Sequence, residues 1–196
     1  MACTIVPYAS EWEEAWLRCR VLAFLHSAYY DDVRKEKDGY LHPAIELIAL
    51  TERGELVGLL DAECDDAPGS AASPGSSRGA VIWNVAVHPD WQRHGIGSQL
   101  LLAVLSQLRA EGIERVEAWT RDDPGVMAWY QRHGFQSVER YHHIYLVKEE
   151  QCGVIGTCLP GLRPIQTFAH FTGETLPKEL ARAQHRHVCQ RFERLV

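Results

Sequence analysis

The sequence predicts a mixed α/β fold in a single domain, and three observations predict it. Strand-like runs alternate with helical stripes through the centre of the chain, and a polar turn joins two apolar-rich runs near the front, as in a hairpin. The size and balance agree: 196 residues, 46% hydrophobic and 23% charged, are ordinary for one globular domain of roughly 100–200 residues.

Taken in order, Ser10-Glu11-Trp12-Glu13 has the capping-box spacing, and Trp12, Ala15, Trp16, Cys19, Leu22 and Ala23 share one helical stripe. An amphipathic helix over 11–28 follows. Tyr29-Tyr30-Asp31-Asp32 ends it. Glu46–Thr51 and Glu55–Asp61 are the hairpin strands, joined through Glu52-Arg53-Gly54. Residues 65–79 (DDAPGSAASPGSSRG) offer nothing to fill a core and read as a flexible, disordered loop, an insertion rather than a lid. Ala80–Val87 is a strand stopped by Pro89, which cannot donate to a ladder. Ile96–Glu111 is an amphipathic helix closed by Gly112, and Arg115–Thr120 is a strand. Asp123-Pro124 caps a helix that runs to His133, and Phe135–Val147 is strand-like. After Lys148 come a Gly/Pro-rich stretch, a strand at Ile165–Phe171 and a final helix from Pro177 to Arg194. Residues 1–147 thus form the domain, and 148–196 a C-terminal helical extension packed upon it.

Composition excludes several classes. The formal net charge of -6 argues against a general nucleic-acid binder, which needs a basic face. No apolar run approaches the ~18 residues of a membrane helix, and Met1–Pro7 is not a secretory leader, so a cytoplasmic protein is expected. Cys3, Cys19, Cys64, Cys152, Cys158 and Cys189 contain no C-x-x-C pair and read as reduced thiols. His142/His143 and His185/His187 lack the i, i+4 spacing of helix ligands, and no metal site is expected.

The chemistry concentrates in Val85–Ser98. A strand delivers the chain to a turn in which Gly95 and Gly97 remove the Cβ atoms that would block close approach. The N–H groups of residues 93–98 then open a helix without partners, an anion site by construction. Arg93 adds a charge. A dinucleotide fingerprint would need a small residue at Leu100, and a P-loop would need G-K-S/T; both fail.

Val87-His88-Pro89 followed by Gln92-Arg93-His94-Gly95-Ile96-Gly97 resembles the first signature of the GNAT superfamily of acyl-CoA-dependent N-acyltransferases. Val126-Met127-Ala128-Trp129-Tyr130-Gln131-Arg132-His133-Gly134-Phe135 resembles the second, a tyrosine-bearing helix ending in G-F. The resemblance covers residues 1–147, strongly 80–146, and has no counterpart for the tail. It implies a mostly antiparallel sheet whose central strand pair splays apart, with helices on both sides. It also implies acetyl-CoA as cofactor, held by Gln92, Arg93, His94, Gly95, Ile96, Gly97 and Ser98, by the backbone of Val85, Ala86 and Val87, and by residues near Asp123, Val126 and Tyr130. Asp123 stands where the family often has asparagine, and Val126 where it has alanine.

By the same resemblance Tyr130 is the general acid for the departing thiolate, although a helix tyrosine packed beside Phe135 would look the same. The candidate base is Glu117, one residue off the usual strand position and so on the other face unless a bulge intervenes. Glu63, Asp122 or a water chain are alternatives. The acceptor, a small-molecule or peptide amine, would meet Tyr29, Tyr30, Trp83 and Trp119. The resemblance leaves room for a homodimer. Residues 31–66 hold eleven acids against four bases, a local -7, which hints at a cationic acceptor. Two rivals stand beside transfer: a non-catalytic acyl-CoA sensor, and a docking protein whose Arg182, Arg186, Arg191 and Arg194 line a basic helix.

Overall fold

The computed structural model describes residues 3–151, 154–157, 159–162 and 164–196; Cys152 and Cys158 lie outside them. Its strands are β1 (Cys3–Pro7), β2 (Ala44–Thr51), β3 (Leu56–Cys64), β4 (Gly79–Val87), β5 (Arg115–Thr120), β6 (Gln136–Val147), β7 (Gln166–Phe171) and β8 (His185–Leu195). The helices are α1 (Glu13–Phe24), α2 (Ile96–Ala110), α3 (Pro124–Arg132) and a single turn, α4 (Lys178–Ala181). One sheet runs β1-β2-β3-β4-β5-β8-β6-β7, antiparallel throughout except for β4 and β5.

Alternation along the strands divides the apolar residues between two faces. Leu47, Leu60, Ala62, Ile82, Val116 and Ala118 pack with Leu100, Leu101, Val104, Leu105 and Leu108 of α2, and with Tyr130 of α3. Ile48, Leu59 and Ala86 meet Trp16 and Cys19 of α1 on the other face. Burial pushes the thiols of Cys19 and Cys64 up to about 12, so both are inert packing residues. Among the described residues no helix is long and apolar enough to cross a membrane.

Two irregularities shape the centre. The β4–β5 pairing runs from Gly79–Arg115 only to Ile82–Ala118, after which the strands diverge. Between β3 and β4, Asp61 faces Asn84 while Ala62 faces Ile82, leaving Trp83 as the extra residue of a β-bulge. The N–H of His88 reaches Val57 O on β3 at 2.9 Å. By alternation the backbone groups of Val87 and Val85 therefore turn away from β3, toward the gap.

Three expectations need correction. The final helix does not form: residues 185–195 are β8, inserted between β5 and β6 with Phe192 fully buried. Arg- and Gln-rich composition suits a helix, but without β8 the facing edges of β5 and β6 would go unpaired, and that backbone demand overrides propensity. Of the four arginines expected on a basic helix face, Arg191 bonds Glu117 and Glu139 and Arg194 bonds His133 O, while Arg182 and Arg186 stay exposed. The capping box also fails. Ser10 opens a short 3-10 turn with no side-chain cap, and Glu13 Oε1 instead accepts from the N–H of Lys37 at 2.9 Å.

The third correction is the loop at 65–79, which is held in place. The Asp65 carboxylate, fully buried, accepts from the N–H groups of Gly69, Ala71, Ala72 and Gly79 at 2.7–3.0 Å. Arg78 Nε returns to Asp65 O, and Arg115 reaches the carbonyl of Ser73. One acid replaces the hydrophobic residues that the loop lacks.

Burial alone would raise the Asp65 carboxyl, but the four N–H groups outweigh it and hold it below its ordinary value. The carboxylate's contribution is therefore present above the unfolded pKa of about 3.9 and lost as pH falls through the lower folded value. Asp65→Asn should cost about 2 kcal/mol at neutral pH and much less near about pH 2, read by denaturant unfolding at both. Equal losses at the two pH values would remove the charge from the loop's support.

Candidate functional site

Where β4 and β5 part, a cleft of about 820 Å³ opens, lined by both strands, the N-terminus of α2, α3 and the segment following α1. Its outer end is the glycine turn. Arg93 (φ 66°) and Gly95 (φ 80°) both adopt the left-handed conformation and turn successive N–H groups into a concave array at the head of α2. Gln92 Nε2 donates to Val87 O at 3.1 Å and ties the turn back to β4. A Cβ on Gly97 would touch Val87 at 3.6 Å and Trp129 at 3.7 Å, so a longer side chain there would fill the cradle. α3 is clamped onto this turn by His133, whose Nε2 lies 2.9 Å from Ser98 Oγ.

Asp123 caps α3, its Oδ1 accepting from Gly125 N at 2.8 Å and Val126 N at 3.0 Å. Two turns on, Tyr130 is 3% exposed and lines the cleft, stacked on Phe192 and edge-on to Phe135. Burial, and secondarily the nearby Tyr29 phenol, keep its pKa far above the ordinary value. It is a phenol that holds its proton. The Tyr29 hydroxyl accepts from Arg121 N at 2.8 Å at the end of β5. Arg121 in turn bonds Ala28 O, Asp31 and Tyr145 OH, which pins the segment after α1 against the cleft.

The structure therefore brings together Tyr29, Trp83, Val85, Ala86, Val87, Gln92, Arg93, Gly95, Ile96, Gly97, Ser98, Trp119, Asp123, Val126 and Tyr130. It leaves three expected residues outside. His94 folds back onto Gln92 O at 2.9 Å, and Tyr30 stacks on His185 instead of the cleft wall. Glu117 is 2% exposed on the sheet face under the 65–79 loop. Its Oε1 accepts from Ser73 N and Oγ, and its Oε2 from Arg115 and Arg191 at 3.4 and 3.1 Å. Both of its oxygens are engaged under the loop and neither is presented to the cleft. Of the alternatives, Glu63 and Asp122 are likewise held, by Trp83 and His187.

Sequence reasoning missed Arg20, Trp129 and Arg132, all of which line the cleft together with Asp32. Arg20 is 3% exposed, with Nε on Asn84 Oδ1 at 2.8 Å and Nη2 on Asp32 Oδ2 at 2.7 Å. The one signal was an arginine beside Cys19 at the edge of the α1 stripe. Among the described residues no three His, Cys, Asp or Glu side chains converge as metal ligands.

Fold and site together define a class: an α/β protein with a glycine turn opening a helix N-terminus at the head of a parted strand pair. The acetyltransferase (GNAT) family profile matches residues 8–135. The chain belongs to that family. An uncharacterised ycf52-like N-acetyltransferase of Prochlorococcus marinus is 46% identical over 56 residues, 29% of this chain and 30% of that protein. The chain thus aligns with less than a third of that relative's length. The Escherichia coli ribosomal-protein-S18-alanine N-acetyltransferase superposes with a TM-score of 0.60 at 14% identity, covering 100% of this chain and 94% of that one. The PaiA N-acetyltransferase of Thermoplasma acidophilum, solved with coenzyme A, gives 0.54 at 12% identity over 71% and 92%. At these identities the likeness is one of fold.

Removing the Glu117 carboxylate leaves the largely buried Arg115 and Arg191 with the more exposed Glu193 as their one shared acid. Glu117→Ala should therefore lose about 3 kcal/mol of stability in denaturant unfolding. A stable Glu117→Ala protein with collapsed turnover would make Glu117 a base after all.

Proposed function

We propose that the protein is an acyl-CoA-dependent N-acetyltransferase that moves an acetyl group from acetyl-CoA directly to a primary amine of a small molecule or peptide. The observation that carries this reading is one continuous path. It runs from the N–H array at Arg93–Ser98, along the free edge of Val85 and Val87, to the Tyr130 phenol. The cradle at Gly97 and the cleft volume fit a phosphopantetheine ligand. Family membership and the coenzyme A bound by PaiA support the same cofactor. The Escherichia coli neighbour is named for a ribosomal-protein alanine, which supports keeping a peptide amine among the acceptors. Free Cys3, Cys19, Cys64 and Cys189 suit a reducing cytoplasm.

In this reading acetyl-CoA supplies an activated acetyl group as a thioester. The N–H groups of residues 93–98 grip its pyrophosphate, with Arg93 and Arg132 adding charge. The backbone of Val85 and Val87 pairs with the pantetheine arm as an added strand would. The amine nitrogen bonds to the acetyl carbon, the C–S bond breaks, and Tyr130 gives its proton to the leaving sulfur. The amine's surplus proton leaves through water, which returns one to Tyr130, Glu117 being committed elsewhere. A pure sensor would leave Tyr130 as packing against Phe135 and Phe192, and thiol release separates the two readings.

Release of free thiol across a panel of amines tests the reading directly; none released with any amine would end it. Saturating acetyl-CoA should raise Tm by roughly 5–10 °C, and Gly97→Val should abolish the shift. Tyr130→Phe should keep the shift while cutting kcat about 100-fold or more. An unchanged rate would take Tyr130 out of the chemistry.

A further inference from the structure

The bulge residue Trp83 is 55% exposed, yet its indole is fixed: Nε1 donates to Glu63 Oε2 at 2.7 Å. Glu63 is only 6% exposed, and its Oε1 accepts from the N–H groups of Leu41 and His42 at 2.9 and 3.0 Å. A large aromatic left in solvent normally gains nothing from a locked rotamer. Here a buried carboxylate that holds three donors does the locking.

The charges nearby make this pair unusual. Asp31 is matched by Arg121, Asp32 by Arg20 and Arg34, Glu46 and Asp61 by Lys37, and Glu117 by Arg115 and Arg191. Much of the acidity of residues 31–66 is thus cancelled inside the fold. Among the described residues no cationic side chain lies within 4 Å of Glu63, whose three donors are neutral dipoles. A negative charge with no cation in contact, hydrogen-bonded to the indole edge, makes the ring face more negative and a better seat for a cation. Trp83 lies at the closed end of the splay, four residues and roughly 13 Å along the strand from Val87, with the glycine turn beyond.

We propose that the face of Trp83 seats a second cationic group of the acceptor, and that Glu63 is the positioning residue that locks and polarises the indole. The proposal rests on the acetyl-transfer reading. It narrows the acceptor to a primary amine carrying an additional ammonium or guanidinium group: the reacting amine enters neutral while the other charge sits on the indole.

Two substrate pairs test it and separate small-molecule from peptide sources. They are 1,4-diaminobutane against n-butylamine, and a tripeptide with arginine in second position against its alanine counterpart. In one pair or both, the cationic member should show a kcat/KM roughly five- to thirtyfold higher. Trp83→Ala should bring that ratio within about twofold of unity. Glu63→Gln should reduce it while retaining the acetyl-CoA Tm shift, and should add nothing in the Trp83→Ala background. In 15N-Trp-labelled protein the Trp83 indole cross-peak, assigned with Trp83→Phe, should move on adding tetramethylammonium chloride and not on adding equal sodium chloride. It should also shift in Glu63→Gln.

If the peak moves but no amine releases thiol, the transfer reading falls and the cation seat stands. If thiol is released but neither ratio nor peak responds, the cation seat falls. A Glu63→Gln protein that loses kcat equally with both members of a pair would overturn the positioning role.

Discussion

The molecule is organised around the early end of one ladder. β4 and β5 cease to pair after Ile82 and Ala118, and two strands that part inside a sheet leave polar backbone edges that must find other partners. On β4 those edges belong to Val85 and Val87, and Gln92 satisfies part of one of them. On β5 the Tyr29 hydroxyl takes the N–H of Arg121 just past the strand's end. The gap is thus a set of hydrogen-bonding groups held apart from each other, which is what gives the cleft its chemistry.

Holding two strands apart requires buttresses on both sides, and these are polar. Arg20 braces the bulge through Asn84, with Asp32 on its far side. Lys37, caged by Tyr8, Trp16 and Tyr40, joins Glu46 and Asp61 behind β2 and β3. Arg121 binds the segment after α1 to β6. Each such network is costly to bury and useful only when nearly complete, which makes it a device for a single geometry more than for raw stability. Desolvation lifts Asp61 to about 6 even beside Lys37, a measure of how dry this layer is.

The sequence was most legible where a local rule and the tertiary structure agree. The turn at Gln92–Ser98, α2 and the proline-capped α3 all stand where spacing and capping place them, as do the front hairpin strands. It was least legible where a partner distant in sequence decides the outcome. Nothing near residue 185 announces that β5 and β6 need a strand between them, and nothing in a Gly/Ser/Pro-rich stretch announces that Asp65 will gather four N–H groups. Glu117 shows the same limit at the site: its residue type suits a base, but Arg115, Arg191 and Ser73, which occupy it, come from three different segments. Trp83 was visible as an aromatic wall, whereas the bulge and Glu63, which aim it, belong to the pairing with β3.

The insertion of β8 has a consequence for how the chain is made. Thr120 pairs with Gln190 and Arg115 with Leu195, partners separated by seventy to eighty positions of chain. A ribosome that has already delivered β1 to β6 has therefore delivered a sheet with two raw edges in its middle, one on β5 and one on β6. Until β8 arrives, those edges are open to the wrong strand, whether from the same chain or a neighbouring one. A premature stop or a nick ahead of residue 185 would leave a permanently unfinished sheet, not a slightly shortened enzyme. Quality control in the cell would meet it as an aggregation hazard.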